Sequence, residues 1–391
     1  MTFRRDSIIQ IHASKCIWKH VNRKENIMES YEYVFTALRG RQAGREYYIA
    51  MCPMKLVPKI FLFQEEEIPA ELRSQRTLNK SRIPEITNYI LDNRSEYIFS
   101  SITASVDGKV RFEPISFNDD KVEDVGKLKI TMDSRFIIND GQHRRAAIEQ
   151  ALAECPDLGD ETISVVFFID VGLKNTQQMF ADLNKHSVRP TRSIGILYDH
   201  RDPLSALART LIDKVSVFRN LTEIEKTNIS NRSTKLFTLS SIFQGTVCLL
   251  RKPQNSKKIT KIEESLAISF WENVSDNMKD WQLAAEKSVS THELRQNYIH
   301  SHALAMHAIG RLGASLLSTA NKDYKKELKK LKKIDWARKN NALWEGRAMI
   351  AGKISKSHNS VILTTNHLKN VCGLKLTPEE AKVEKEYLVK A

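Results

Sequence analysis

At 391 residues the chain is long enough for two domains, and its 41% hydrophobic and 28% charged residues are those of a globular protein with a real core. Lys and Arg outnumber Asp and Glu by 61 to 47, a net charge of +14 that points to a polyanionic partner, nucleic acid foremost, and leaves a basic housekeeping enzyme as the plainer alternative. The scattered Cys16, Cys52, Cys155, Cys248 and Cys372 support neither a disulfide framework nor a zinc ribbon, suit a reducing cytoplasm, and are joined by no apolar run near the roughly 18 residues of a membrane span.

Residues 1–27 are less patterned than the rest of the chain and read as an N-terminal extension, with Met28 as a candidate start. Residues 30–63 read as β-rich, "YEYVFTALRG" and "REYYIAMCPMKLVPKIFLF", with "RGRQAG" as the turn between them. A helix comes next, with Ser81 as its cap, Pro84 in its first turn and Ile86, Tyr89 and Ile90 on one face. "YIFSSITASVDGKVRFEPI" gives two strands that Asp107-Gly108 would join in a tight hairpin. "KLKITM" alternates through Leu128, Ile130 and Met132, "RFII" adds a strand, and "ISVVFFID" reads as a strand buried on both faces. "NTQQMFADLNKHS" reads as a helix with Met179, Phe180 and Leu183 inward. The expected class is therefore α+β: an α/β domain over 28–200, its boundary between Tyr198 and Pro203, then a mainly helical domain over 201–391. Only "SVILTT" near residue 360 reads as a later strand. The Lys-rich "KKELKKLKK" reads as a solvated amphipathic helix with Tyr324, Leu328, Leu331 and Ile334 inward, or as a phosphate-facing surface.

The chemistry concentrates in "RFIINDGQHRRAAIEQAL", a short strand, a glycine corner and a helix that opens with His143, Arg144 and Arg145. Cations at a helix start oppose its dipole, so they need a negative partner. Asn139 and Asp140 are competent caps, and Asn139 with Gln142 has the form of a capping box. Gly141 lets a ligand approach the backbone, and the free N–H groups with Gln142, His143, Arg144 and Arg145 would cradle a phosphate. The alternative is local: Asp140 caps the helix and pairs with an arginine. Ala147, Ile148, Ala151 and Leu152 form the buried face. Further cations suited to phosphate contact are Arg73, Arg76 and Arg82 in "RSQRTLNKSR", and Arg189 and Arg192 after "MFADLNKHS". Asp182 can hold a metal or simply fix its loop. His300, His302 and His307 lack H-x-x-x-H spacing, so no metal site is assigned, and no G-x-x-x-x-G-K-[ST] loop is present.

Asp140-Gly141-Gln142-His143-Arg144 resembles the signature of the DGQHR group, similar to the ParB/sulfiredoxin-like fold. ParB proteins carry Gly-Glu-Arg-Arg at this corner and sulfiredoxins Gly-Cys-His-Arg. Gln142 stands where the sulfiredoxin thiol would be, which argues against sulfinic-acid reduction, and it is uncharged where ParB has Glu. From about Tyr31 to Glu380 the chain resembles the DndB proteins of bacterial DNA phosphorothioation gene clusters, through "ALRGRQAGREYY", "RSQRTLNKSRIPEITNYI", "ITASVDGKVRFEP", "INDGQHRRAAIEQAL", "MFADLNKHSVRPTRS", "IDWARKNNALWEGR" and "ILTTNHLKNVCGL". The resemblance implies a cytoplasmic, nucleoid-associated repressor that binds duplex promoter DNA of the modification genes. Other proteins of that system, or a second copy of the chain, are further partners it suggests. It also implies ATP or another NTP with Mg at the corner. As an NTPase or DNA-processing enzyme, the alternative, Asp140, Gln142, His143 and Arg144 would be catalytic.

Overall fold

The structure, a computed structural model, describes residues 31–61, 78–117, 120–169, 172–185, 189–254, 256–320 and 323–390. They form two units, residues 1–187 and 188–391.

The alternating segments of the first unit pair into one seven-stranded sheet. Its strands are β1 (Glu32–Gln42), β2 (Arg45–Pro53), β3 (Ile102–Asp107), β4 (Val110–Phe117), β5 (Asp120–Thr131), β6 (Arg135–Asp140) and β7 (Thr162–Ile169). The order is β4-β5-β1-β2-β7-β3-β6, with β3 and β7 parallel and every other pair antiparallel. The expected Asp107-Gly108 hairpin does not form. β3 pairs with β6 and β7, while β4 pairs with β5 near the opposite end of the order. Five strand spacings of a flat sheet would span about 24 Å, yet two residues link β3 to β4 and can reach only about 11 Å. The sheet therefore curls towards closure. One face of the sheet holds the core: Phe35, Tyr48, Ile102, Leu128, Phe136, Ile163, Val165 and Phe167 are buried in one cluster. Phe61 and Phe167 each pack on Phe136, at 5.8 and 6.0 Å between ring centres.

Several local expectations change. The β1–β2 turn is the pair Ala43-Gly44, both at positive φ, so "RGRQ" belongs to the strand. After Pro53 the chain turns into a 3₁₀ turn and the short helix α1 (Val57–Ile60) instead of extending the strand. Helix α2 (Ile83–Asp92) is preceded by a 3₁₀ turn that Asn79 caps, its Oδ1 accepting from the Ser81 N–H at 3.2 Å, so Ser81 is not the cap. β7 buries one face fully and the other only partly. Helix α3 (Gln142–Glu154) places Ala147, Ile148 and Ala151 in the core. In α4 (Gly172–Lys185) Met179 and Phe180 are half-buried, but Leu183 is exposed.

The second unit contains α5 (Arg192–Tyr198), α6 (Pro203–Lys214), α7 (Ser216–Leu221), β8 (Thr222–Glu223), β9 (Phe237–Thr238), α8 (Leu239–Leu250), α9 (Lys261–Asp276), α10 (Lys279–Ala285), α11 (Thr291–Asn297), α12 (Ala303–Leu317), α13 (Tyr324–Leu328), α14 (Asn341–Trp344), β10 (Met349–Ile350), β11 (Lys353–Ile354), α15 (His358–Val371) and α16 (Pro378–Lys390). It begins before the expected boundary because Ile196 of α5 is buried with Leu204, Leu239 and Phe243. Helices α8 and α12 meet backbone to backbone: a Cβ on Gly310 would lie 2.1 Å from the Gly245 carbonyl oxygen, so only glycine fits there. "SVILTT" is helical, in α15. Ser357 caps it by accepting from the Ser360 N–H, and burial of Val361, Ile362, Thr364 and Thr365 outweighs their β propensity. The Lys-rich segment is α13 followed by a 3₁₀ turn, and buries Leu328, Leu331 and Ile334 beneath its lysines.

Candidate phosphate-binding corner

The corner forms where β6, an edge strand of the sheet, turns into α3. Gly141 makes the turn at φ +111°, a region that other residues rarely adopt, and a Cβ there would lie 3.0 Å from Ile102. Gly141 is thus the cap residue of α3, and no side chain caps the helix. The expected Asn139–Gln142 capping box is absent because Asn139 is still in the strand. Its side chain is fully buried, donating from Nδ2 to Ser105 Oγ at 2.8 Å and towards Met179 Sδ at 2.7 Å.

The two arginines take different partners. Arg144 Nη2 donates to Asp140 Oδ2 at 2.7 Å and to the Ser101 carbonyl at 3.0 Å. Asp140 therefore neutralises a cation and does not cap the helix; its side chain is 46% exposed. Arg145 is buried and leaves the corner. Its guanidinium donates to the Phe61 and Pro58 carbonyls, each at 2.8 Å, and pairs with Glu149. The expectation that Arg145 lines a ligand site is corrected: it fastens α1 to α3. The dipole conflict at the start of α3 is met within the chain, by Asp140 for one arginine and by Glu149 with the end carbonyls of α1 for the other.

Polar capacity nevertheless remains. Among the described residues, seven buried side-chain polar atoms lack a hydrogen-bond partner, and three fall within residues 139–144: Asn139 Oδ1, Gln142 Nε2 and Arg144 Nε. A buried polar group without a partner costs about 1–3 kcal/mol. Such a concentration in six residues marks a place that a polar ligand or water would satisfy. His143 Nε2 accepts from the Asn79 N–H at 3.2 Å, which ties the exposed turn of Lys80, Ser81 and Arg82 to the first turn of α3.

The other candidates are dispersed. Arg73, Arg76 and His186 lie outside the described residues. Asp182 is exposed within α4 and accepts from Gln178 Nε2, one turn earlier in the same helix, at 2.8 Å, so this bond fixes no loop. Arg189 and Arg192 are exposed in the second unit. Arg192 donates to Gln244 at 2.9 Å and stacks over Phe243. His300 is a buried structural residue: Asp280 sits 2.9 Å from Nε2, Trp281 donates to Nδ1 at 3.1 Å, and burial lowers the pKa. Burial also pushes the Cys52 thiol up to about 12, so it is not a thiolate nucleophile at neutral pH. No helix among the described residues is long and apolar enough to cross a membrane.

A mixed sheet with a strand–glycine–helix corner, followed along the chain by a helical unit, defines a protein of the α+β class. The chain belongs to the DndB family, described as DNA-sulfur modification-associated, whose model matches residues 35–375. Comparison with curated proteins and with solved structures found no match.

Proposed function

We propose that the protein is a DNA-binding regulator of a DNA phosphorothioation gene cluster, restraining its expression from promoter DNA, with the β6–α3 corner receiving a phosphate. The observation that carries the corner's role is the set of unpartnered atoms at residues 139–144 beneath an exposed basic turn. Gln142 Nε2 and Arg144 Nε are donors, as a phosphate oxygen requires. Arg82, three residues past the Asn79 that docks on His143, supplies a further exposed cation. Family membership and the +14 charge support DNA as the polyanion.

Fluorescence anisotropy with promoter duplex tests this reading. Contacts to about six phosphates would weaken binding on the order of a thousandfold between about 50 and 200 mM salt, and Arg82→Ala should reduce the salt slope by about one. A flat salt response overturns it. A second reading, an NTPase with Mg beside Asp140, rests on the half-exposed carboxylate next to Gly141. It requires phosphate release from ATP or GTP that Arg144→Ala abolishes.

A further inference from the structure

A cavity of about 350 Å³ opens in the second unit, well apart in sequence from the corner, and its lining includes Arg295, His302, Arg338 and Lys356 but no Asp or Glu. Arg295 is 9% exposed, and its guanidinium donates to the carbonyls of Ser230, Asn231, Ser233 and Lys235. These bonds engage both terminal guanidinium nitrogens and stitch the loop of residues 230–235 to α11. They do not cancel its charge, and no carboxylate among the described residues pairs with Arg295, Arg338 or Lys356. A buried cation held only by carbonyl dipoles leaves a positive potential in the space beside it.

Two further features add to that potential. The cap residues of α8 and α12, Thr238 and His302, both line the cavity, so two helices of 12 and 15 residues begin at its wall. Arg338 is held in place by donating to the Gln296 carbonyl at 2.9 Å and the Gly352 carbonyl at 2.7 Å. The imidazole of His302 reports the result. Burial first, and then the Arg338 and Lys356 charges, lower its pKa to about 4, against the opposing bond to the Arg295 carbonyl. It is therefore neutral at pH 7, and the cavity's cations are its arginines and lysine. The remaining wall is of another kind: Ile229, Leu236 and Phe237 are apolar, with the exposed amides of Asn228 and Asn231 at the rim.

We propose that this cavity binds a nucleoside monophosphate, the phosphate on Arg338, Lys356 and the starts of α8 and α12, and the base against Ile229 with the two asparagine amides at its edge. The volume is at the low end of small-ligand pockets, which suits one nucleotide. A concave site whose two arginines are fixed by backbone bonds fits a small anion better than a duplex, which needs charges spread along a surface. The site stands whether or not the β6–α3 corner takes a phosphate.

Calorimetry on the full chain at low salt, with AMP, dCMP, adenosine and inorganic phosphate, tests the proposal. AMP and dCMP should bind, adenosine should not, and inorganic phosphate should bind more weakly than either nucleotide. Lys356→Glu should weaken nucleotide binding about tenfold or more, through loss and reversal of one charged contact. Lys356 is exposed, so an unchanged thermal midpoint separates that loss from unfolding. Arg144→Ala removes any phosphate site at the corner, so the AMP and dCMP binding that remains in that variant belongs to the cavity. The proposal fails if neither nucleotide binds, if Lys356→Glu binds as wild type does, or if inorganic phosphate matches AMP. It fails equally if Arg144→Ala abolishes binding while Lys356→Glu keeps it. Loss of duplex DNA binding in Lys356→Glu without any nucleotide binding would assign the surface to DNA instead.

Discussion

The first unit neutralises the half-buried Arg144 and the buried Arg145 with carboxylates one helical turn away, whereas the second leaves the buried Arg295 among carbonyls alone. Arg144 has Asp140 and Arg145 has Glu149, each four residues distant. Arg295 has four backbone oxygens and no acid. An i,i+4 carboxylate settles a charge inside the helix that carries it, whereas backbone carbonyls satisfy hydrogen bonds and leave the net charge to act on its surroundings. Arginines at a helix start are therefore a poor guide to where an anion binds, and a site poor in acids is the better one.

Acid should separate the two units most strongly. Burial lowers the pKa of His300 and His367 and brings those of His302 and His307 to about 4, all in the second unit. Between about 6.5 and 4 the unfolded chain protonates His302 and His307 while the native unit holds them neutral, so stability falls as pH falls through that window. The lowered pKa values of His300 and His367 act in the same direction. His302 and His307 each contribute roughly 1.4 kcal/mol per pH unit across that window, so several kcal/mol should be lost by about pH 4. Hydrogen exchange followed from pH 7 to 4.5 should show the helices of the second unit losing protection before the sheet of the first. Simultaneous loss would contradict the difference.

The next largest effect concerns the arginines themselves. Arg295→Leu removes the donor to four carbonyls and should cost about 3 kcal/mol or more in urea unfolding. Arg145→Ala should also destabilise, by about 2 kcal/mol, because the Pro58 and Phe61 carbonyls lose their partner. Arg144→Ala should cost less than Arg145→Ala. If Arg144 proves the more important for stability, the division between a structural Arg145 and a ligand-facing Arg144 is wrong.

The smallest effect is the most diagnostic of the corner. Asp140 is half-exposed and caps nothing, so Asp140→Asn should cost well under about 1 kcal/mol. If the corner binds a phosphate directly, removing this charge frees Arg144 and should tighten phosphate binding. If a divalent ion sits on Asp140, the same change should abolish Mg-dependent binding. Titration of wild type and Asp140→Asn with and without Mg distinguishes the two, and unaltered binding in both conditions would remove Asp140 from the site.

Much of this architecture was legible in the order of residues. Alternation in "KLKITM" and the apolar run "ISVVFFID" marked strands, and the spacing of Ala147, Ile148 and Ala151 marked the core face of α3. Gly141 announced the corner because its backbone angle admits little else. These are local properties: periodicity, composition and backbone freedom act within a few residues, so a sequence by itself determines them. Partnership is not local. Asp107-Gly108 has the chemistry of a hairpin, yet β3 and β4 separate because the curled sheet offers each a better neighbour. "SVILTT" has β-branched residues suited to a strand, yet it coils into α15, where a serine cap and burial are worth more than propensity. Arg144 and Arg145 are adjacent and alike in sequence, and only the packing of α1 against α3 turns one inward. Nothing in the sequence joins Arg295, Arg338 and Lys356, which stand far apart along the chain until the helices bring them round one cavity. Local chemistry is written in neighbouring residues, but which charges are cancelled and which face open space depends on contacts between distant segments, and those exist only in the folded chain.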